Sequence, residues 1–260
     1  MRIITKIVHE MFLNLLQASV EGQSQFLANL TTSEAFLMVI AVGIAGFLVQ
    51  ARLRSVVSKY SQVPMPTGLT GAEIAEKMLY YNGVNDVRVT HVGGYLSDHY
   101  DPRNKTVNLS EDVYYGRSIT AAAIACHECG HALQHAKGYA PLKMRSALVP
   151  LVQFSSTMAT WLIIGGLIMT ASSGSEMLCW IGVGLMCISA LFSIITLPVE
   201  YNASDRALAW LEHSGLLFGE ELEGAKISLR WAASTYLVAA LSAIASILYY
   251  VALINGRRRD

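Results

Sequence analysis

Charge is scarce in this chain and balanced where it occurs. Of 260 residues, 19 are basic and 19 acidic, 15% in all, and the formal net charge is zero. A chain without a basic excess lacks the electrostatic footprint that nucleic-acid binding needs, so nucleic acid is not expected as a partner. Cysteine is sparse too. Of four residues, Cys179 and Cys187 fall inside an apolar run, which excludes the disulfide framework of a small secreted domain. Cys126 and Cys129 form a C-x-x-C, but no second soluble Cys or His pair of suitable spacing exists to close a structural zinc site, so they read as small packing residues. The amino-terminal stretch has no apolar core followed by a small-residue cleavage site, and a cleaved signal peptide is not expected. Paired charges inside the apolar runs are also missing, which argues against a transport pathway.

Apolar residues fill the space that charge leaves. They make up 53% of the chain, and mean hydropathy is +0.41, too apolar for an ordinary soluble domain. They come in four blocks, 34–51, 147–171, 177–199 and 232–254, each long enough or nearly so for the roughly 20 residues a bilayer crossing takes. The expected architecture is mainly α: a polytopic α-helical membrane protein with about four transmembrane helices and a catalytic domain containing a small β-sheet. The sequence divides accordingly. An amphipathic segment, 1–33, has Ile4, Ile7, Val8, Met11, Leu15 and Leu16 at helical spacing, as in a helix lying on a membrane surface or against the protein. A first span, 34–51, leads to a domain at 52–146. A transmembrane hairpin follows at 147–199, then a polar helix at 200–231 that completes the domain. A last span, 232–254, and a basic tail, 255–260, end the chain.

Within 52–146, Thr70 to Glu73 has capping-box form and starts a helix that stops at Asn82-Gly83. The segment 86–92 alternates valine with polar residues as a strand does, and 93–110 reads as two strands joined at Asp101-Pro102-Arg103-Asn104. An edge of such a sheet can hold an extended peptide by backbone pairing.

A helix predicted over 118–138, with Ser118 as N-cap and Gly138 at the carboxy-terminal cap, carries His127-Glu128-Cys129-Gly130-His131. Four residues is just over one turn, so both imidazoles leave the same face and can share one Zn2+. Zinc lowers the pKa of a bound water to about 7, and Glu128, beside the histidines, is placed to take its proton as the water attacks an amide carbonyl. That is metalloprotease chemistry. The motif is short, but two His and a Glu are odd ornaments on so alanine-rich a helix.

A catalytic zinc needs a third protein ligand. Glu200 is the choice, opening a helix among Asn202, Ser204, Asp205 and Arg206 where an apolar run ends. His135, one turn beyond His131, is the competitor. The rise along the helix carries it about 6 Å past His131, which suits one shared ion less well. His99, Tyr201 and Arg206 are candidates for stabilising the oxyanion.

Several motifs together resemble one family: Gly68-Leu69-Thr70-Gly71, Ser97-Asp98-His99-Tyr100-Asp101-Pro102-Arg103, Leu109-Ser110-Glu111, His127 through Gln134, and Leu197-Pro198-Val199-Glu200-Tyr201-Asn202-Ala203-Ser204. In these the chain is similar to the membrane-embedded neutral zinc metallopeptidases of bacteria known as YugP-like, and more distantly to the HtpX and Ste24 membrane proteases. The resemblance implies a gluzincin-type site with His127, His131 and Glu200 on one zinc ion, and Glu128 as general base. Those distant relatives have an acidic residue four places after the third ligand. Here that place is Ser204, with Asp205 next to it.

Basic residues near span ends set orientation. Arg52, Arg54, Lys59, Lys143, Arg145, Arg206 and Arg230 all fall on the side of the catalytic segments, while the turn at 172–176 has none. An active site on the cytoplasmic side of the bacterial membrane is expected, with only Arg257 to Arg259 in conflict. The motif helix and Glu200 both adjoin apolar runs, so the metal is expected within about 10 Å of the bilayer interface. The substrate would be a polypeptide, a membrane protein or membrane-associated peptide cut close to the lipid. The alternative is a non-catalytic scaffold that keeps zinc for structure, which the intact Glu128 disfavours.

Overall fold

The structure is a computed structural model and describes residues 29–173 and 175–256. The predicted surface helix over 4–17 and the arginine cluster at 257–259 lie outside the described residues. Among the described residues, seven helices and three strands follow in order: α1 Thr32–Ser61, α2 Gly71–Tyr81, β1 Arg88–Val92, β2 His99–Asp101, β3 Thr106–Ser110, α3 Glu111–Tyr114, α4 Ile119–Ala136, α5 Ala140–Ser173, α6 Met177–His213 and α7 Gly219–Gly256. Helices α1, α5, α6 and α7 are each long and apolar enough to cross a membrane.

All four are longer than the apolar blocks that announce them. The block 177–199 and the expected separate helix from Glu200 are one element, α6, which runs through Pro198. Glu200 therefore does not open a helix. Proline removes one backbone donor and crowds the preceding turn, a cost of about 3 kcal/mol or more. The buried residues on either side of it, Thr196, Val199, Glu200 and Ala203, give the packing that keeps the helix going.

The described residues divide into two compact units. One comprises 29–43, 155–187 and 242–256. Its helices approach closely at small residues: a Cβ on Gly166 would lie 2.6 Å from the backbone nitrogen and from Sγ of Cys179, and one on Gly182 would lie 2.6 Å from the Ile163 side chain. Without a hydrophobic drive between helices in lipid, such close backbone packing is the main source of association. Large apolar side chains here point outward, among them Phe36, Trp161 and Ile168, as a lipid-facing surface requires.

The other unit, 44–154 with 188–241, holds the sheet and the motif helix. Strand order is β1-β3-β2, with β1 parallel and β2 antiparallel to the central β3. The expected hairpin is present, shortened to three residues in β2. Val107 and Leu109 of β3 are fully buried together with Ile74 and Met78 of α2, Ile119, Cys126 and Cys129 of α4, and Leu211 of α6. Helix α4 packs against α2, β2 and β3, so the motif helix is the middle of the core. Burial pushes the Cys126 and Cys129 thiols up, which leaves both as packing groups without thiolate character at neutral pH.

Thr70 caps α2 as its sequence predicts. Its side chain accepts from the Glu73 amide at 3.2 Å, and Glu73 Oε2 accepts from the Thr70 amide at 2.7 Å. These hydrogen bonds to Thr70 hold the Glu73 carboxyl below its usual range. A depressed pKa stabilises the fold above the ordinary glutamate value of about 4.3, and that contribution is lost as pH falls through the lowered value. Thr70→Ala is expected to cost about 1 kcal/mol at neutral pH. In unfolding measured across pH, its difference from the unsubstituted protein should shrink in acid.

Candidate metal centre

The site is built by two helices meeting at one glycine. Ser118 caps α4, its hydroxyl accepting from the Ala121 amide at 3.2 Å, and helical geometry then stacks His127 one turn before His131. Their ring centroids are 4.8 Å apart and their planes nearly perpendicular, at 84°. Helix α6 supplies Glu200, whose Oε2 lies 3.2 Å from His127 Nε2 and 3.5 Å from His131 Nε2. Two ligands at zinc distances, near 2.0–2.1 Å and tetrahedral, would be separated by about 3.3 Å. The three ligand atoms lie within 4.8 Å of one another, and among the described residues these three make the one such group.

Gly130, between the two histidines, lets α6 come this close. A Cβ there would sit 2.5 Å from the Ala203 carbonyl oxygen, and Ala203 and Ala207 on the facing side are fully buried. The other nitrogen of each imidazole is also engaged. Ser204 Oγ lies 3.1 Å from His127 Nδ1, and Gln134 Oε1 lies 3.0 Å from His131 Nδ1. The Gln134 amide in turn donates to the Val199 carbonyl at 2.7 Å and to Asn202 Oδ1 at 3.1 Å, and Arg206 Nε donates to the same Asn202 oxygen at 2.8 Å.

That chain of hydrogen bonds fixes a protonation state. The Val199 carbonyl can only accept, so the Gln134 NH2 faces it and the Gln134 oxygen faces the ring. His131 Nδ1 must therefore carry the hydrogen, and Nε2 presents a lone pair to Glu200. A lone pair 3.5 Å from a carboxylate is repulsive unless a cation lies between them. Burial works against the His131 imidazolium, but the Glu200 hydrogen bond, the Glu128 and Glu200 charges and Gln134 outweigh it, so its pKa is held above the ordinary value. Two imidazole nitrogens and one carboxylate oxygen, with the outer nitrogens oriented by hydrogen bonds, are a donor set that fits zinc. Glu200 is 1% exposed, and its second oxygen lies 3.5 Å from Arg145 Nη1, so the carboxylate is charge-compensated on both sides.

Glu128, 8% exposed, lines two cavities that flank the ligand cluster, of about 560 Å3 and 140 Å3. Asp98, Glu200 and Tyr236 line both of them. His135 lies outside the three-donor group; its Nδ1 pairs with the Tyr100 hydroxyl at 2.8 Å, whose pKa burial pushes up to about 12. His99 lines the larger cavity, with Nδ1 2.8 Å from the Ser97 carbonyl and Nε2 3.2 Å from the Asn108 amide nitrogen. Arg206 reaches the site through Asn202 and Gln134. Tyr201 and Asp205 are exposed, and among the described residues neither hydrogen-bonds to the cluster. Ser204 makes the histidine contact instead. Sequence reasoning misses Gln134, Arg145 and Tyr236 as site residues. Gln134 could have been found, since it stands three residues after His131 on one helix face. Arg145 and Tyr236 carry no local signal.

Gly130→Ala is expected to destabilise the fold by about 1–3 kcal/mol through overpacking and to weaken zinc binding about tenfold or more as Glu200 moves outward. Competition with a chelator reads the second effect and thermal unfolding the first.

Comparison with known proteins agrees with this chemistry. A family described as "Putative neutral zinc metallopeptidase" matches residues 35–255. A protein of Bacillus subtilis (strain 168) described as "Putative membrane protease YugP" is 43% identical over 223 residues, covering 85% of this chain and 97% of the relative. No solved structure matches. With so long a match and so high an identity, the chain belongs to the neutral zinc metallopeptidase family.

Proposed function

We propose that this chain is an integral-membrane zinc endopeptidase of the H-E-x-x-H, gluzincin type, acting on membrane or membrane-associated polypeptides at the bilayer surface. The carrying observation is the convergence of two Nε2 atoms on Glu200 Oε2, at 3.2 and 3.5 Å, while both Nδ1 atoms are turned outward to Ser204 and Gln134. His127, His131 and Glu200 would hold one zinc ion. Bound there, zinc supplies Lewis acidity, which acidifies water and polarises a carbonyl.

The rest is work for the chain's own side chains. Glu128 takes a proton from the attacking water onto its carboxylate and delivers it to the departing amine nitrogen as the peptide bond breaks. Burial of Glu128 beside the cluster favours such a shuttle over a solvated surface role. Strand β2 is at the sheet edge and close to α4, so its outer backbone groups are available to align an extended peptide with Glu128. Tyr236 lines both cavities together with Glu200, and Arg145 steadies the Glu200 oxygen turned away from the histidines. The segments 52–146 and 200–231 thus form the catalytic domain. The distribution of basic residues near the spans supports a site on the cytoplasmic side.

Glu128→Gln is expected to keep its zinc and lose about a hundredfold or more in cleavage of casein or a membrane protein, while Glu200→Gln loses the metal. Full activity in the first variant, or full zinc content in the second, would remove the mechanism. One peptide sequence tethered to liposomes should be cut faster than the same sequence free in solution; equal rates would remove the bilayer preference.

A further inference from the structure

The two cavities beside Glu128 differ in chemistry as well as size. The smaller, about 140 Å3, has an apolar wall of Leu53, Val57, Leu96, Ile124, Leu229 and Ala233 facing polar groups that include Asp98, His127, Glu128 and Glu200, and no lysine or arginine lines it. A cavity of about 150 Å3 accommodates a benzene-sized group, so one aliphatic side chain fits against that apolar wall. The larger, about 560 Å3, lies within the range of ligand pockets and is lined by three cations, Arg103, Lys143 and Arg145.

Two of its three acidic lining groups, Glu200 and Asp98, are already engaged. Glu200 has the two imidazoles and Arg145. Asp98 accepts from the Ser110 amide at 2.7 Å and from its hydroxyl at 3.0 Å. Glu128 belongs to the proton-shuttling role. Arg103 and Lys143 are exposed, and among the described residues neither side chain forms an ion pair. They come from different elements, the β2–β3 turn and the first turn of α5, and face one cavity. Glu128 borders both spaces, so a peptide with its scissile bond there can extend into each.

We infer that the larger cavity holds a carboxylate of the substrate, either an acidic side chain or a free carboxyl terminus, recognised by Arg103 and Lys143, with an aliphatic residue seated across Glu128 in the smaller one. The inference rests on the peptidase reading and gives it a substrate class. Arginine and lysine grip a carboxylate by charge-assisted hydrogen bonds, and at an exposed cavity mouth that preference is weakened by salt.

The test uses the zinc-loaded full-length protein carrying Glu128→Gln in lipid nanodiscs, so that binding is read without turnover. Fluorescent peptides share one leucine-containing neutral sequence. The first has an amidated end, the second set carries Glu at each position in turn, and the third has a free carboxyl terminus. Binding of a Glu peptide or of the free-carboxyl peptide about tenfold tighter than the neutral one is expected, and the peptide that gains identifies the source of the carboxylate. Adding Arg103→Gln and Lys143→Gln should bring the ratio of anionic to neutral affinity close to one, as should raising the salt. Both residues are exposed, and retained zinc content checks the fold. Equal binding of all peptides, or an unchanged ratio in the double substitution, overturns the inference alone. Absence of any peptide binding, with no cleavage by the unsubstituted protein, overturns the peptidase reading as well.

Discussion

A carboxylate shut away from water needs positive charge beside it, and Glu200 meets this condition in an unusual way. Its neighbours are two imidazoles whose outward nitrogens are taken by Ser204 and Gln134. For His131 the Gln134 amide dictates that the hydrogen is on the outer nitrogen, so what faces Glu200 is a lone pair. The core thus holds a carboxylate and an imidazole lone pair that repel each other unless a cation joins them. Leaving such a charge uncompensated costs several kcal/mol; Arg145 offsets it on one side, and on the other the donor set favours a metal such as zinc.

Much of the surrounding structure can be read as support for that meeting. Gly130 removes the side chain that would hold α6 away, and Ala203 presents its backbone to the gap. Gln134 ties the motif helix to Val199 and Asn202, fixing the axial position of α6 at the turn that carries Glu200. Pro198 lies in the same stretch. Its missing donor is tolerated because contacts around it, rather than the local ladder alone, hold the helix there. Arg145, on the first turns of α5, completes the charge balance on the side away from the histidines.

The scarcity of charge in the sequence takes on meaning from this arrangement. Four long apolar helices leave few positions for polar groups, and all four have residues in the unit that holds the sheet. Arg145 and Glu200 stand just outside the apolar blocks of α5 and α6, and Tyr236 stands inside that of α7. In the proposed reading the same helices anchor the protein in the bilayer and furnish its site, which is an economical way to keep the chemistry close to lipid.

Locally coded features were legible without coordinates. The capping box at Thr70, the Ser118 cap, the Asp-Pro-Arg-Asn hairpin turn and the one-turn spacing of His127 and His131 depend on residues within four or five positions of each other, where helical and turn geometry leave little choice. The four apolar blocks were equally plain, because bilayer thickness sets a length that composition reveals. The end points of the long helices were not legible: polar residues following an apolar run are compatible with a new helix or with the same one continuing, and only the packing around Pro198 decides. Nor did sequence determine the order β1-β3-β2, the close approach at Gly130, or the assembly of Arg103, Lys143, Arg145 and Tyr236 around Glu128. Those residues are far apart along the chain and share no period. Their chemistry arises from distances between elements, which tertiary packing alone fixes.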